Sequence, residues 1–114
     1  MSAVGRLKED WDSYGAEPPS ELALSKIRTL ITEILGRHKA NAGIRSIPFM
    51  VAPVPDGGVQ AEWRNGPRII EVEVSPEGSF GYLLLTKHDS GSDAQEHDHV
   101  PESKLLELIS SVVD

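Results

Sequence analysis

The sequence predicts an α+β fold: a four-stranded antiparallel β-meander, in strand order 1-2-3-4, with N-terminal and C-terminal helices packed mainly on one face. Three observations predict it. Residues 21–38 carry apolar side chains at helical spacing, four strand-like segments follow between residues 47 and 86, and short turns rich in Gly and Pro separate them. Short connections favour antiparallel neighbours, and 114 residues suit a single domain spanning 1–114.

Three helical segments are predicted. Residues 4–11 place Val4, Leu7 and Trp11 on one face of a short helix. Ser20 is a good N-cap for the helix at 21–38, whose apolar positions recur three and four apart. Pro101 suits the first position of a last helix, with an apolar face formed by Leu105, Leu108, Ile109, Val112 and Val113.

The first two strand segments are residues 47–54 and 59–64. The first contains Pro48 and Pro53, which cannot donate to a ladder, so it belongs at a sheet edge. Asp56-Gly57-Gly58 between the two segments indicates a hairpin. The second segment alternates, which predicts that Val59, Ala61 and Trp63 face inward and that Gln60, Glu62 and Arg64 face water.

The other two strand segments are residues 68–74 and 79–86. Asn65-Gly66 suggests a tight hairpin before the third strand, but Pro67 lacks an N–H donor and predicts a wider loop. Ser75-Pro76-Glu77-Gly78 is typical of a type I turn that ends in a left-handed glycine. In the third strand, alternation predicts Ile70, Val72 and Val74 inward, with Glu71 and Glu73 in water.

Residues 87–100 are uniformly polar and are predicted to form a mobile loop. Their candidate metal ligands are His97, His99, Asp98 and His88, since histidines two apart on an extended segment point the same way. The other interpretation is a solvated, charged loop. We favour the second, because a metal site needs fixed geometry, and we expect no metal, no other cofactor and no tight zinc binding.

Composition narrows the class of protein. Eleven basic and 18 acidic residues give a net charge of −7, which disfavours nucleic acid and suits a basic partner. The absence of cysteine excludes disulfides, thiolate metal sites and cysteine nucleophiles. No apolar run is long enough for a membrane span, and the N-terminus turns polar too early for a signal peptide, so we expect a cytoplasmic protein that binds no membrane.

Alternation in the fourth strand leaves an apolar surface to explain. Phe80, Tyr82 and Leu84 face the helices, which places Leu83 and Leu85 on the opposite face. Three arrangements could cover these two leucines: the C-terminal helix, a second copy of the chain, or a different protein that adds a strand to the open edge. The sequence slightly favours the symmetric homodimer.

Trp11 and Tyr14 flank Asp12-Ser13 and have two interpretations: a recognition loop, or a core plug at Trp11 followed by a turn at Gly15. Four segments form a recognisable set: Trp11-Asp12-Ser13-Tyr14-Gly15-Ala16, the Pro48 strand, Asp56-Gly57-Gly58-Val59-Gln60-Ala61-Glu62-Trp63 and Ile70-Glu71-Val72-Glu73. Over roughly residues 7–85 the chain resembles small uncharacterised bacterial proteins with a Trp-Asp-x-Tyr-Gly-Ala motif and an Asp-Gly-Gly-Val-x-x-Glu-Trp hairpin. That resemblance implies a bacterial or phage source and no particular chemistry.

Three function hypotheses follow. The first is a small, acidic, non-enzymatic protein–protein interaction domain, either antitoxin-like or inhibitor-like, or a chaperone-like adaptor; its candidate contact residues are Leu83, Leu85, Trp11 and Tyr14. The second is a metal-binding or metal-sensing protein that uses the 88–99 segment. The third is an enzyme, but the serines lack a nucleophile elbow and the glycines lack the spacing of a phosphate-binding loop. We expect the first.

Overall fold

The computed structural model describes residues 18–114, so the predicted helix at 4–11 lies outside the described residues. The order is helix α1, a 3₁₀ turn, strands β1 to β5 and helix α2, with bounds Glu21–Ala42, Gly43–Ser46, Met50–Pro53, Val59–Asn65, Arg68–Val74, Phe80–His88, Gly91–Val100 and Glu102–Val113. The sheet is an antiparallel meander in order β1-β2-β3-β4-β5. The α+β class is confirmed, and the strand count of four was one too few.

Ser20 fixes the start of α1. Its Oγ accepts a hydrogen bond from the Ala23 backbone N at 3.0 Å and donates to the Pro76 carbonyl at 2.8 Å. Its own backbone N donates to the Gly57 carbonyl at 2.8 Å. The N-cap prediction is confirmed, and the same residue ties α1 to the β1–β2 and β3–β4 turns. The helix continues past residue 38 to Ala42 and ends at Gly43, whose φ is 56°.

Side chains alternate between the two faces of the sheet, and the register aligns those of neighbouring strands in rows. On the helix side, Val59, Ala61 and Trp63 lie opposite Val74, Val72 and Ile70, which lie opposite Phe80, Tyr82 and Leu84. Both α1 and α2 contribute to the core on this side, through Ile27, Leu30, Ile34, Leu105, Ile109 and Val112. Trp63 is fully buried there, and its indole N–H donates to the Ser46 carbonyl at 3.2 Å. The inward positions predicted from alternation are confirmed.

The two predicted turns around β3 had different outcomes. Gly78 has φ 88° and its N–H donates to the Ser75 carbonyl, as predicted. The wider loop expected at Pro67 was wrong, because Asn65 pairs directly with Arg68 across a two-residue turn. Pro67 is the third residue of this turn, so it leaves the closing hydrogen bond intact, because the fourth residue supplies the N–H donor. Gly66 takes the positive φ, 60°, that the second position of a type II′ turn requires.

The predicted loop at 87–100 was also wrong. β4 continues to His88, a two-residue turn follows, and residues 91–100 form β5 against β4. The alternation that reveals a strand is absent because every residue from Gly91 to His99 is exposed, whichever face it occupies. A register shift opposite Phe80 and Gly81 leaves His99 as an extra residue, a β-bulge with φ 55°.

Candidate functional site

We use the term open face for the side of the sheet opposite α1 and α2. It carries an apolar strip made of Ile69, Leu83 and Leu85, all half-buried. Leu85 lies between Ile69 on β3 and Ala94 on β5, and Leu83 lies between two glutamates of the same strands. The two leucines therefore occupy the face that strand alternation predicted.

The C-terminal helix does not cover this strip. The buried residues of α2 belong to the same core cluster as Trp63 and Val72, on the helix side. One of the three arrangements considered for Leu83 and Leu85 is thereby excluded, and a second copy or a different protein stays open. The other two candidate contact residues, Trp11 and Tyr14, lie outside the described residues.

A concavity of about 550 Å³ adjoins the strip at Leu83. It is centred on the row in which Glu73 of β3, Gly81 of β4 and Asp98 of β5 are neighbours. Gly81 has no side chain to fill this space, and a Cβ there would lie 2.9 Å from Asp98 Oδ1. We call the concavity the acid-lined groove, because, within residues 18–114, five carboxylates and no lysine or arginine line it: Glu71, Glu73, Glu77, Glu96 and Asp98.

The groove is electrostatically unbalanced. Burial raises the pKa of Glu73 above its ordinary value, and the negative charges of Asp56, Glu71, Asp98 and Glu96 raise it further. A carboxylate with a raised pKa is less stable in its charged form than in water. A positive charge placed in the groove would therefore offset the repulsion between the carboxylates, and its attraction would compensate the desolvation of Glu73.

The histidines do not converge. His97 lies opposite Tyr82 on the helix side, with ring centroids 5.5 Å apart. His99 occupies the bulge and lines the acid-lined groove. The bulge breaks the alternation, so the expectation that these two histidines share a face was wrong. His88 bonds to Ser90 at 2.9 Å, and no group of three or more His, Asp or Glu in residues 18–114 could hold a metal ion.

A second apolar surface was missed by sequence reasoning. Ile44, Ile47 and Phe49 are 83%, 54% and 64% exposed, and with Arg64 of β2 they line a concavity of about 360 Å³ on the segment that connects α1 to β1. The Arg64 guanidinium lies 4.0 Å from the centre of the Phe49 ring and also pairs with Glu62. Glu62 is consequently buried, which corrects its predicted place in water. The available signal was three large apolar residues in a Pro-containing connector, spaced three apart and then two apart, which fits neither one continuous helix nor one continuous strand.

Comparison with protein-family models, curated proteins and solved structures finds no match to this chain. The resemblance to small bacterial proteins with the Trp-Asp-x-Tyr-Gly-Ala motif therefore stays a prediction. No helix in residues 18–114 combines the length and apolar character that a membrane crossing needs.

Proposed function

We propose that this protein is a non-enzymatic protein–protein interaction domain whose open face binds a basic, amphipathic segment of a partner protein. The observation that carries the proposal is the apolar strip of Ile69, Leu83 and Leu85 beside a groove that, in the part of the chain the structure describes, is lined by five carboxylates and by no lysine or arginine. Apolar side chains of the segment would cover the strip, and a lysine or arginine next to them would enter the groove.

Charge favours a different protein over a second copy on this face. Two open faces brought together would juxtapose two sets of five carboxylates, in chains that each carry a net charge of −7. Like charges set against each other across an interface cost several kcal/mol. A basic partner instead gains association rate from long-range attraction. An antitoxin-like or inhibitor-like role, or a chaperone-like adaptor role, in the cytoplasm fits such a partner.

The apolar strip supplies a modest share of the affinity. A fully buried leucine contributes about 1.5–3 kcal/mol relative to an exposed one, and the strip residues are already half-buried. Covering the three should therefore contribute about 2–4 kcal/mol. Micromolar binding needs about 8 kcal/mol, so the groove and backbone contacts must supply the rest. This division predicts binding that weakens strongly with salt.

The test is selection of binding peptides from a random library displayed on phage, followed by titration of the selected peptides. We expect them to combine lysine or arginine with large apolar residues. Leu83→Ser should weaken binding at any salt concentration, and Glu73→Gln should weaken it mainly at low salt. Glu107→Gln is the matched control, because Glu107 is exposed on α2, on the other side of the sheet.

Two results would refute the proposal. Selected peptides without basic residues would remove the role of the groove. Binding that Leu83→Ser and Glu73→Gln leave unchanged, while Phe49→Ser abolishes it, would move the interaction to the surface formed by Ile44, Ile47 and Phe49.

A further inference from the structure

β5 is the last strand of the sheet, so one of its edges has no neighbouring strand in residues 18–114. Its side chains are exposed on both faces from Gly91 to His99. Between the turn at Gly91 and the bulge at His99, seven consecutive residues from Ser92 to Asp98 keep regular pairing with β4. The middle residue of this regular stretch is Gln95.

The backbone groups of the free edge can be assigned from the register. His88 and Gly91 close a two-residue turn, and such a closing pair exchanges its backbone hydrogen bonds. Because hydrogen-bonded and non-hydrogen-bonded pairs alternate, Gln95 also bonds to β4. Four residues then direct their N–H and C=O groups outward, away from β4: Ser92, Ala94, Glu96 and Asp98.

We propose that β5 pairs antiparallel with β5 of a second copy, about a two-fold axis that passes beside Gln95 perpendicular to the sheet. Only an axis at this position pairs all seven residues of the regular stretch, Ser92 to Asp98, with the same seven residues of the second copy. The same centre places Asp93 of each chain opposite His97 of the other, on the helix side. These residues form a complementary pair at both ends of the contact.

Other positions of the two-fold axis give less favourable pairing. A centre at Glu96 sets this glutamate against its own copy, and a centre at Ala94 overlaps only five residues of the regular stretch. Charged side chains and bulges commonly protect edge strands from pairing. Here the bulge at His99 only ends the pairing, and in one register each Asp93 carboxylate faces a His97 imidazole, which can donate a hydrogen bond, instead of another carboxylate. The remaining repulsion is between the two Glu96 side chains, which are diagonal neighbours, and between chains of net charge −7.

The contact uses the outward backbone groups of β5, whereas partner binding uses the apolar strip at Leu83; Glu96 and Asp98 belong to both the edge and the groove. Ala94→Pro and Leu83→Ser therefore separate failure of the dimer from failure of partner binding. The two-fold axis keeps both open faces on the same side of one ten-stranded sheet. The dimer would therefore present two acid-lined grooves side by side to one partner. The proposal concerns a second copy of this chain and needs no other molecule.

Cysteine scanning tests the register directly, because the chain has no cysteine of its own. The Cα atoms of directly opposed residues lie about 4.5–5.5 Å apart, which is within the range of Cα separations that a disulfide bridges. Under mild oxidation by diamide, Gln95→Cys should form a covalent dimer without a second variant, because Gln95 faces its own copy. Ala94→Cys should form one only when it is mixed with Glu96→Cys, because Ala94 of one chain faces Glu96 of the other. Gln60→Cys, on the open face of β2, is the control for random collision. Equal rates for Gln95→Cys and Gln60→Cys would overturn the proposal.

Sedimentation gives the second readout without any cysteine. The wild type should sediment with twice the monomer mass. The dimer fraction should rise as salt is added, because salt screens the repulsion between the two acidic chains. Ala94→Pro should be monomeric with an unchanged circular dichroism spectrum, since it removes only an outward-facing N–H. Glu96→Gln should dimerise more tightly than the wild type. A wild type that stays monomeric at high concentration and high salt, or an Ala94→Pro variant that is folded and still dimeric, would refute the β5 contact.

Discussion

Replacing Trp63 by phenylalanine tests the core. Trp63 is fully buried, and its indole N–H is bonded to the carbonyl of Ser46, itself fully buried. Phenylalanine leaves ~40 Å³ empty, which costs about 1 kcal/mol, and forgoes about 1 kcal/mol of transfer free energy. Loss of the hydrogen bond, with a buried carbonyl left unpaired, adds about 1 kcal/mol. We expect Trp63→Phe to lower the free energy of unfolding by about 3 kcal/mol.

Urea denaturation followed by far-ultraviolet circular dichroism measures this change, and the melting temperature should fall by about 10 °C. The matched control is Phe49→Leu, in the same part of the chain. Phe49 is 64% exposed and its ring packs on the Arg64 guanidinium, so its replacement should cost less than about 1 kcal/mol. A Trp63→Phe variant within about 0.5 kcal/mol of the wild type would show that Trp63 does not anchor the core.

Ser20→Ala removes the hydroxyl that caps α1 and bonds to the β3–β4 turn, so it should cost about 1–2 kcal/mol in the same assay; an unchanged stability would mean that backbone contacts alone fix the helix start. Gly36→Ala should stabilise by about 0.5–1 kcal/mol, because Gly36 lies inside α1 with open space around it. Gly78→Ala should destabilise by about 1 kcal/mol or more, because φ is 88° there and a Cβ would lie 3.0 Å from a leucine at the start of α1; a destabilised Gly36→Ala variant or a stabilised Gly78→Ala variant would contradict the geometry. Glu73→Gln should raise the free energy of unfolding by about 0.5 kcal/mol at neutral pH, a figure kept small because the side chain is solvent-exposed. Because the pKa of Glu73 is raised in the folded state, the wild type takes up this proton before the unfolded chain does, and the advantage of glutamine should vanish by about pH 4 as the pH falls; a difference that persists there would reject the electrostatic explanation.

The elements that sequence reasoning found are those with one buried side. α1, β2, β3 and α2 each bury one face against the core, which imposes the periodicity that predicts them. β5 could not be found in this way, since neither of its faces is buried and its composition is that of a loop. The error at Pro67 has a different cause: the closing N–H of the turn was assigned to residue 67, whereas the fourth residue of the turn, Arg68, supplies it.

The candidate site was predictable only in part. Alternation within one strand was enough to place Leu83 and Leu85 on the face away from the helices. The acid-lined groove depends on register across three strands, which aligns Glu73, Gly81 and Asp98 in one row. Such alignment requires knowledge of β5 and of its bulge. A pattern read within single segments contains neither.

The positions of α1 and α2 have a consequence for biosynthesis. The two helices are the first and last elements of residues 18–114, yet they pack together, with His38 Nε2 bonded to Ser110 Oγ at 2.7 Å. Arg45, in the 3₁₀ turn after α1, adds a bond from its Nε to the Val113 carbonyl at 3.0 Å. At about 5–20 residues per second, a ribosome needs roughly 4–14 s to proceed from the end of α1 to the end of α2. Throughout that interval the apolar face of α1 lacks the helix that packs against it, so a nascent chain of this protein exposes apolar surface until α2 has emerged.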